Sequence, residues 1–443
     1  MLNSVTAQPR TIDMVEGGVD WPTFFSTYWL KKPVLFKNPF SKPIMSKGDV
    51  FNVLKRYQAD LAQHKKRQVI VYDQDRSAIN GYHTSIRNNL GVHKLLPSEA
   101  DISFEEFDYR MTSSERYKEY CIYIQEANSD QFLWDKTREL LHTIHQHLPL
   151  SPHKVTCDLF IGNYAKTNFG AHRDPLNNMM FMVFGSRTML LWDDEVWFEE
   201  LGNPRDFSHV VLDYEHFREA AITVNVEEGD MLYWPSSAWH VGENHGELST
   251  SFNVDFFCEK MDSDILSDEI LKETLSKAVK NIAREIYAEK EKISEPMVSG
   301  HAKTSLPDAY EQMVNEFKQR FESRPISNEL TSRWLKKNTS FGQIKPAQKR
   351  QGTIDEQTKL RFDQRFPVLY SIIDRDILIS HSGHVLVISN HAEIFASVIE
   401  KINQSTEFTP KEFFNQLQFA AINLETVMSL LQQLYSIRAL DTV

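Results

Sequence analysis

The stretch from about residue 154 to 258 constrains the fold more than any other part of the chain. It holds six short runs rich in aromatic and β-branched residues: Val155 to Ile161, Met179 to Phe184, Thr188 to Trp192, Ile222 to Val226, Met231 to Trp234 and Ser251 to Phe257. Gly, Pro, Asn and Asp punctuate them too closely for helices, and that texture predicts antiparallel β-structure in a sandwich or barrel. In the last run Ser249, Ser251, Asn253 and Asp255 alternate with Thr250, Phe252, Val254 and Phe256. A period of two gives this strand one polar and one apolar face.

On either side the period lengthens. Trp21, Phe24, Phe25, Tyr28 and Trp29 recur at helical spacing before Pro33-Val34-Leu35-Phe36, so a helix leads into a strand. Helical patterns dominate from about 46 to 148, and Leu133, Leu140, Leu141, Ile144 and Leu148 mark an amphipathic helix stopped by Pro149. Beyond Asp262, Ile265, Leu266, Ile270, Leu271, Leu275, Val279, Ile282 and Ile286 fall on one helical stripe, and Met313, Val314, Phe317 and Phe321 mark a second helix. The stretch from Ser340 to Lys359 is poor in apolar residues and reads as an exposed connection. The remainder predicts a strand pair turning at Ser382-Gly383, then helices near 391–402, 410–418 and 424–435, an order that suits a winged-helix module. The expected organisation is an N-terminal region packing on the core (1–150), a β-rich core (151–260), a helical region (261–340), a linker (341–360) and a winged-helix-like module (361–443).

Composition excludes several classes. With 443 residues, 41 % of them hydrophobic, and a net charge of -12, the chain is that of a globular protein of several domains. No apolar run approaches the ~18 residues of a membrane helix, and no basic segment followed by a long apolar one opens the chain. The three cysteines, Cys121, Cys157 and Cys258, are too scattered for a disulfide framework or a Cys-x-x-Cys zinc site, which fits a reducing cytoplasm. The acidic balance disfavours nucleic-acid binding. The last segment, 361–443, agrees: six basic residues (Arg361, Arg365, Arg375, Lys401, Lys411, Arg438) face nine acidic ones.

Chemistry concentrates in the β-rich core. In an extended segment residues i and i+2 share a side, so His172 and Asp174 of His172-Arg173-Asp174 can grip one ion, and His240 from a neighbouring strand can complete a facial triad. Two imidazoles and one carboxylate leave three positions of an octahedral ferrous ion open, two for a bidentate oxo-acid and one for dioxygen. His-x-Asp triplets also arise by chance among 16 histidines, but His240 follows Gly229-Asp230, a strand to Trp234 and the turn at Pro235, a framing that delivers it at a strand end. The same triplet opens a protein-kinase catalytic loop, which needs Asn five residues beyond the Asp; position 179 is Met, so that reading fails.

Asn163-Tyr164, Gly170, His172-x-Asp174, Gly185-x-Arg187, Trp192, Gly229-Asp230, Pro235, His240 and Asn253 together resemble the JmjC/cupin class of 2-oxoglutarate- and Fe(II)-dependent oxygenases. The resemblance implies a double-stranded β-helix (cupin/jelly-roll) core within an α+β chain. It implies Fe(II) at His172, Asp174 and His240, with 2-oxoglutarate and O2 as cosubstrates. It gives Arg187, thirteen residues after Asp174, the role of anchoring the distal carboxylate of 2-oxoglutarate, and places Tyr164, Asn178 and Asn253 beside the cosubstrate. The order of β-core, helical pair and winged helix is similar to the ribosomal-oxygenase branch, whose members dimerise through the helical region and hydroxylate ribosomal proteins. That implies a homodimer acting on a side chain of a protein or peptide, possibly a ribosomal protein. Two departures stand out: the segment Asp193 to Ala221, with Trp197, Phe198, Phe207 and Phe217, is a long insertion, and Arg187 stands where several branches carry Lys. A small-molecule or biosynthetic-peptide hydroxylase of the same fold, and a catalytically silent cupin scaffold, are the rival readings.

Overall fold

The structure, a computed structural model, describes residues 11–147 except 66, 74–85 and 88–91, residues 154–257 except 168, 206 and 207, and residues 276, 277, 279–282, 284, 308–322, 326–417 and 422–443. The chain divides into two units, Met1–Lys260 with Phe341–Gln348, and Met261–Ser340 with Lys349–Val443. Among the described residues no helix is long and apolar enough to cross a membrane.

In chain order the strands of the first unit are β1 (Asp13–Glu16), β2 (Val34–Lys37), β3 (Val69–Tyr72), β4 (Ile86–Arg87), β5 (Cys121–Ile124), β6 (Val155–Gly162), β7 (Ala171–His172), β8 (Leu176–Phe184), β9 (Ser186–Trp192), β10 (Val210–Val211), β11 (Ile222–Glu227), β12 (Met231–Trp234), β13 (Trp239–Glu243) and β14 (Ser249–Phe257). They form a nine-stranded sheet in the order β1-β2-β12-β8-β14-β6-β5-β3-β4 and a five-stranded sheet in the order β10-β7-β13-β9-β11. These two sheets are the cupin/jelly-roll-like core of a mixed α+β protein. Each of the six runs expected between 154 and 258 is a strand. Two further strands, β7 and β13, are short and carry the histidines of the candidate triad.

The N-terminal region differs from expectation in one respect. The helices Trp21–Thr27, Lys47–Ala62, Phe104–Thr112 and Gln131–His145 are present, but Val69-Ile-Val-Tyr72 and Cys121-Ile-Tyr-Ile124 are strands that extend the large sheet beyond β6. Four apolar residues in a row suit a strand buried on both faces, and all eight of these residues are buried. The helices are started by capping: Ser46 and Asp49 close a capping box on Lys47–Ala62, and the Asp130 carboxylate accepts from Phe132 and Leu133 N–H at the head of Gln131–His145. Arg56 donates from Nε and Nη2 to that same Asp130, at 2.7 and 2.9 Å, which ties the two helices together.

The stretch read as a linker is in part built structure. Gln343 bridges in parallel to Val155 of β6 and is buried, as is Ala347. Trp134 Nε1 donates to the Lys345 carbonyl at 2.9 Å, and Gln343 Nε2 returns a bond to the Trp134 carbonyl at 3.2 Å. Over 341–347 polar side chains satisfy backbone groups, whereas most residues of 348–359 are exposed.

In the second unit Asp308–Glu322 is the expected helix and is followed by Ile326–Thr339. Of the stripe expected over 265–286, only residues within 276–284 are described. The strands Leu369–Ile373, Asp376–His381 and His384–Ser389 form one antiparallel sheet, with positive φ at Ser382 (49°) and Gly383 (79°) giving the primed turn that a two-residue hairpin requires. Leu360–Phe362 pairs with Glu407–Phe408 and Leu440–Thr442, and the helices Ala392–Asn403, Pro410–Asn415 and Leu424–Ser436 close over a core that includes Leu360, Ile377, Val398, Ile399 and Leu431.

Candidate active site

Strand pairing brings the triad together. His172 on β7 lies opposite His240 on β13, so the rings stand side by side with centroids 4.4 Å apart. Asp174, two residues beyond His172 and just past the end of β7, places Oδ2 at 3.5 Å from Nε2 of each histidine. One ligand atom from each of the three residues falls within 4.8 Å of the others. His172 Nδ1 donates to the Gly170 carbonyl at 2.9 Å and His240 Nδ1 to the Ala238 carbonyl at 3.3 Å. A carbonyl can only accept, so each Nδ1 carries a proton and Nε2 is the nitrogen turned to the cluster, the orientation that metal-binding histidines need.

Burial and mutual charge pull the three groups in different directions. Burial would push the Asp174 carboxyl up, but His172 and His240 outweigh it and hold it well below the usual carboxylate range. Burial opposes the charged form of His172, yet Asp174 pulls its pKa up; burial and the neighbouring His172 push His240 down. The Asp174 side chain remains 38 % exposed, so the cluster is open to solvent on that side.

Arg187 on β9 is 4 % exposed and reaches across to the larger sheet. Its Nε donates to Asn244 Oδ1 at 2.8 Å, Nη1 to Ser251 Oγ at 2.8 Å and Nη2 to Ser249 Oγ at 3.3 Å. All three acceptors are neutral, and no carboxylate pairs with Arg187 among the described residues. The Tyr164 ring lies 5.5 Å and the Phe160 ring 6.0 Å from the guanidinium. Room for its stem depends on Gly242, where a Cβ would come within 3.1 Å of Arg187 Cδ.

Asn178 lies on β8 and Asn253 on β14, both in the larger sheet. Asn178 Nδ2 donates to Asp255 Oδ1 at 2.5 Å, while Oδ1 of both asparagines is buried with no hydrogen-bond partner among the described residues. Asp158, opposite Asn253 in the ladder, accepts from Tyr123 Oη at 2.6 Å and Glu126 N–H at 2.9 Å. Burial pushes Asp158 up to about 7 and Asp255 well above the usual range. The polar face of β14 expected from period two is therefore buried: Ser249 and Ser251 serve Arg187, and Asp255 holds Asn178. Sequence reasoning did not single out Asp158, Asn244, Ser249, Ser251 or Asp255. The alternation of β14 was the signal for three of them, since a polar face on a strand in the middle of a sheet has to be used.

The insertion is partly a plug. Trp197 is fully buried, 4.9 Å from Trp239 and 4.4 Å from Phe217 by ring centroid, whereas Phe198 is 46 % exposed. Phe207 lies outside the described residues. Strand β10 of the insertion pairs Val210 with His172, so the insertion edges the candidate metal centre.

The residues present fit the group that the resemblance implies. Two neutral imidazoles and a carboxylate on one side of an ion are the donor set of non-haem Fe(II) sites with open positions, and a buried guanidinium with no carboxylate partner among the described residues suits a carboxylate.

The whole fold has counterparts. The X-ray structure of Escherichia coli ycfD aligns with a TM-score of 0.51 and 14 % identity over 96 % of this chain and 98 % of that one. The crystal structure of Escherichia coli ribosomal oxygenase YcfD aligns with a TM-score of 0.50 and 13 % identity over the same shares. At this identity the likeness is one of fold. No curated protein matches the chain in sequence. Residues 22–263, more than half of the chain, match the family described as the cupin-like domain, and the chain belongs to that family.

Proposed function

We propose that the protein is an Fe(II)- and 2-oxoglutarate-dependent oxygenase that hydroxylates a side chain of a protein or peptide. The observation that carries this reading is the presence, inside one core, of the convergent His172, Asp174 and His240 set and of the Arg187 guanidinium, which pairs with no carboxylate among the described residues. Bound ferrous iron would supply the redox chemistry that couples decarboxylation of 2-oxoglutarate to succinate with insertion of oxygen into a C–H bond. The chain's own residues bind and orient. His172, Asp174 and His240 hold the metal, their Nδ1–H bonds to Gly170 and Ala238 fixing the rings. Arg187 takes the far carboxylate of the cosubstrate in a bidentate grip, with Ser249 and Ser251 holding its fork in register. Arg187, Tyr164, Asn178 and Asn253 are all buried, which would keep water away from a carboxylate held by Arg187.

A polypeptide substrate is supported by the ribosomal oxygenase of the same fold and by the chain's net charge of -12, which suits a basic partner. In this reading the enzyme is a cytoplasmic homodimer, the helical region 261–340 forms its dimer surface, and 361–443 is a winged-helix-like module for protein contact rather than nucleic-acid binding. Succinate formation from 2-oxoglutarate with ferrous iron, measured with ribosomal protein fragments, basic peptides and a panel of free amino acids, tests the proposal. Turnover on a peptide that is abolished by Asp174→Ala supports it. Turnover of a metabolite alone would replace it with the small-molecule reading, and full activity in Asp174→Ala would dismiss the triad.

A further inference from the structure

Arg173 stands between two candidate ligands and is 8 % exposed. A buried cation beside a site for a dication is unfavourable unless it is neutralised and its donors are used. Both conditions hold. Nη1 donates to Asp194 Oδ1 at 2.8 Å, where the insertion leaves β9, and to the Pro204 carbonyl at 3.4 Å. Nε and Nη2 converge on one acceptor, the Ser236 carbonyl, each at 3.1 Å. The amide of that same Ser236 donates at 3.1 Å to Oδ1 of Asn177, a fully buried residue three positions beyond Asp174. Ser236 belongs to the turn closed by Ala238 N–H on the Pro235 carbonyl at 3.0 Å, and the Ala238 carbonyl receives His240 Nδ1. Both backbone groups of Ser236, within the turn that delivers His240, are therefore clamped by the short segment that supplies His172 and Asp174.

We propose that Arg173, with Asp194 as its counter-ion, is the positioning residue that fixes His240 relative to His172 and Asp174 and so sets the affinity and geometry of the metal centre. This inference rests on the reading of the triad as a metal site. The clamp needs a planar fork delivering two N–H groups to one oxygen while a third serves Asp194, which the point charge of a lysine cannot reproduce. It also gives the insertion a role beyond plugging the core, since Asp194 neutralises the guanidinium next to the bound dication.

The test uses Co(II) binding to the full chain, followed by its visible absorption, with Arg173→Lys, Asp194→Asn and Asn177→Ala beside the wild type, and thermal unfolding of each protein without metal. Loss of an outer-shell partner typically weakens metal affinity about 10- to 100-fold. That loss, with an altered Co(II) spectrum, is expected in Arg173→Lys, and a smaller loss in Asp194→Asn and Asn177→Ala. If the variants fold and bind Co(II) with wild-type affinity and spectrum, the inference is overturned; a lowered melting temperature with unchanged Co(II) affinity overturns it equally, because that is a structural role only. If Arg173→Lys fails to fold, the Asp194→Asn and Asn177→Ala proteins decide by the same criteria. Failure of the wild type to bind Co(II) would instead remove the metal reading itself.

Discussion

Arg187 is the residue whose surroundings say most about a ligand. The guanidinium is 4 % exposed and, among the described residues, donates to the neutral acceptors Asn244, Ser249 and Ser251, so an entering carboxylate meets an attraction that water dilutes little. Removing one partner of such a desolvated pair costs about 2 to 5 kcal/mol, or roughly 30- to 5000-fold in binding. Arg187→Met is expected to raise the apparent 2-oxoglutarate constant by that factor while metal affinity stays close to wild type, which titration of cosubstrate and of Co(II) on one preparation checks. Asp158 gives a second residue-scale expectation. Burial pushes its carboxyl up to about 7, against hydrogen bonds from Tyr123 and Glu126 that favour the charged form. An unfolded aspartate titrates near ~3.9. Between these values the folded protein holds the extra proton, so the contribution of Asp158 to stability is full below about pH 4 and is lost as pH rises to about 7. Urea denaturation of the metal-free protein from pH 5 to 8 should show stability falling over that window and a flatter profile in Asp158→Asn.

Among the elements, the short strand β7 depends on Gly170. Its φ of 65° is left-handed, a Cβ there would meet the Val211 carbonyl oxygen of β10 at 2.6 Å, and its own carbonyl orients His172. Gly170→Ala should cost about 1 to 2 kcal/mol from the backbone alone, and the displaced carbonyl should weaken Co(II) binding as well. A thermal shift without any change in metal affinity would show that Gly170 serves the fold and not the ligand. Much of this level was legible in the sequence. The six apolar runs became strands because period and punctuation are local properties, and His172, Asp174 and His240 could be joined because period two puts i and i+2 on one side. β3 and β5 were lost among helical patterns because four-residue apolar runs carry no period that separates strand from helix. Asp158, Asn244 and the roles of Ser249 and Ser251 were not legible, since each is defined by partners between 32 and 82 residues away.

For the molecule as a whole, charge is the property that bears on partners. The net charge of -12 favours encounter with basic polypeptides, and salt screens such steering over about 10 Å at 0.1 M. Under the proposed function, turnover of a basic peptide at subsaturating concentration should therefore slow as salt is raised, while the 2-oxoglutarate constant, which that proposal assigns to the buried Arg187, should respond much less. Equal salt dependence of both would place the peptide's recognition elsewhere than on the protein's surface charge. The chain path sets a further limit. Because residues 341–348 lie against β6 and Trp134, the first unit is not one continuous piece of sequence: a chain cut at residue 260 would leave Trp134 Nε1 without its acceptor and strip the cover from the start of β6. The excursion 261–340 is thus anchored at both ends in the same unit. A shift of register at its return would be felt at the head of the strand that carries Asp158.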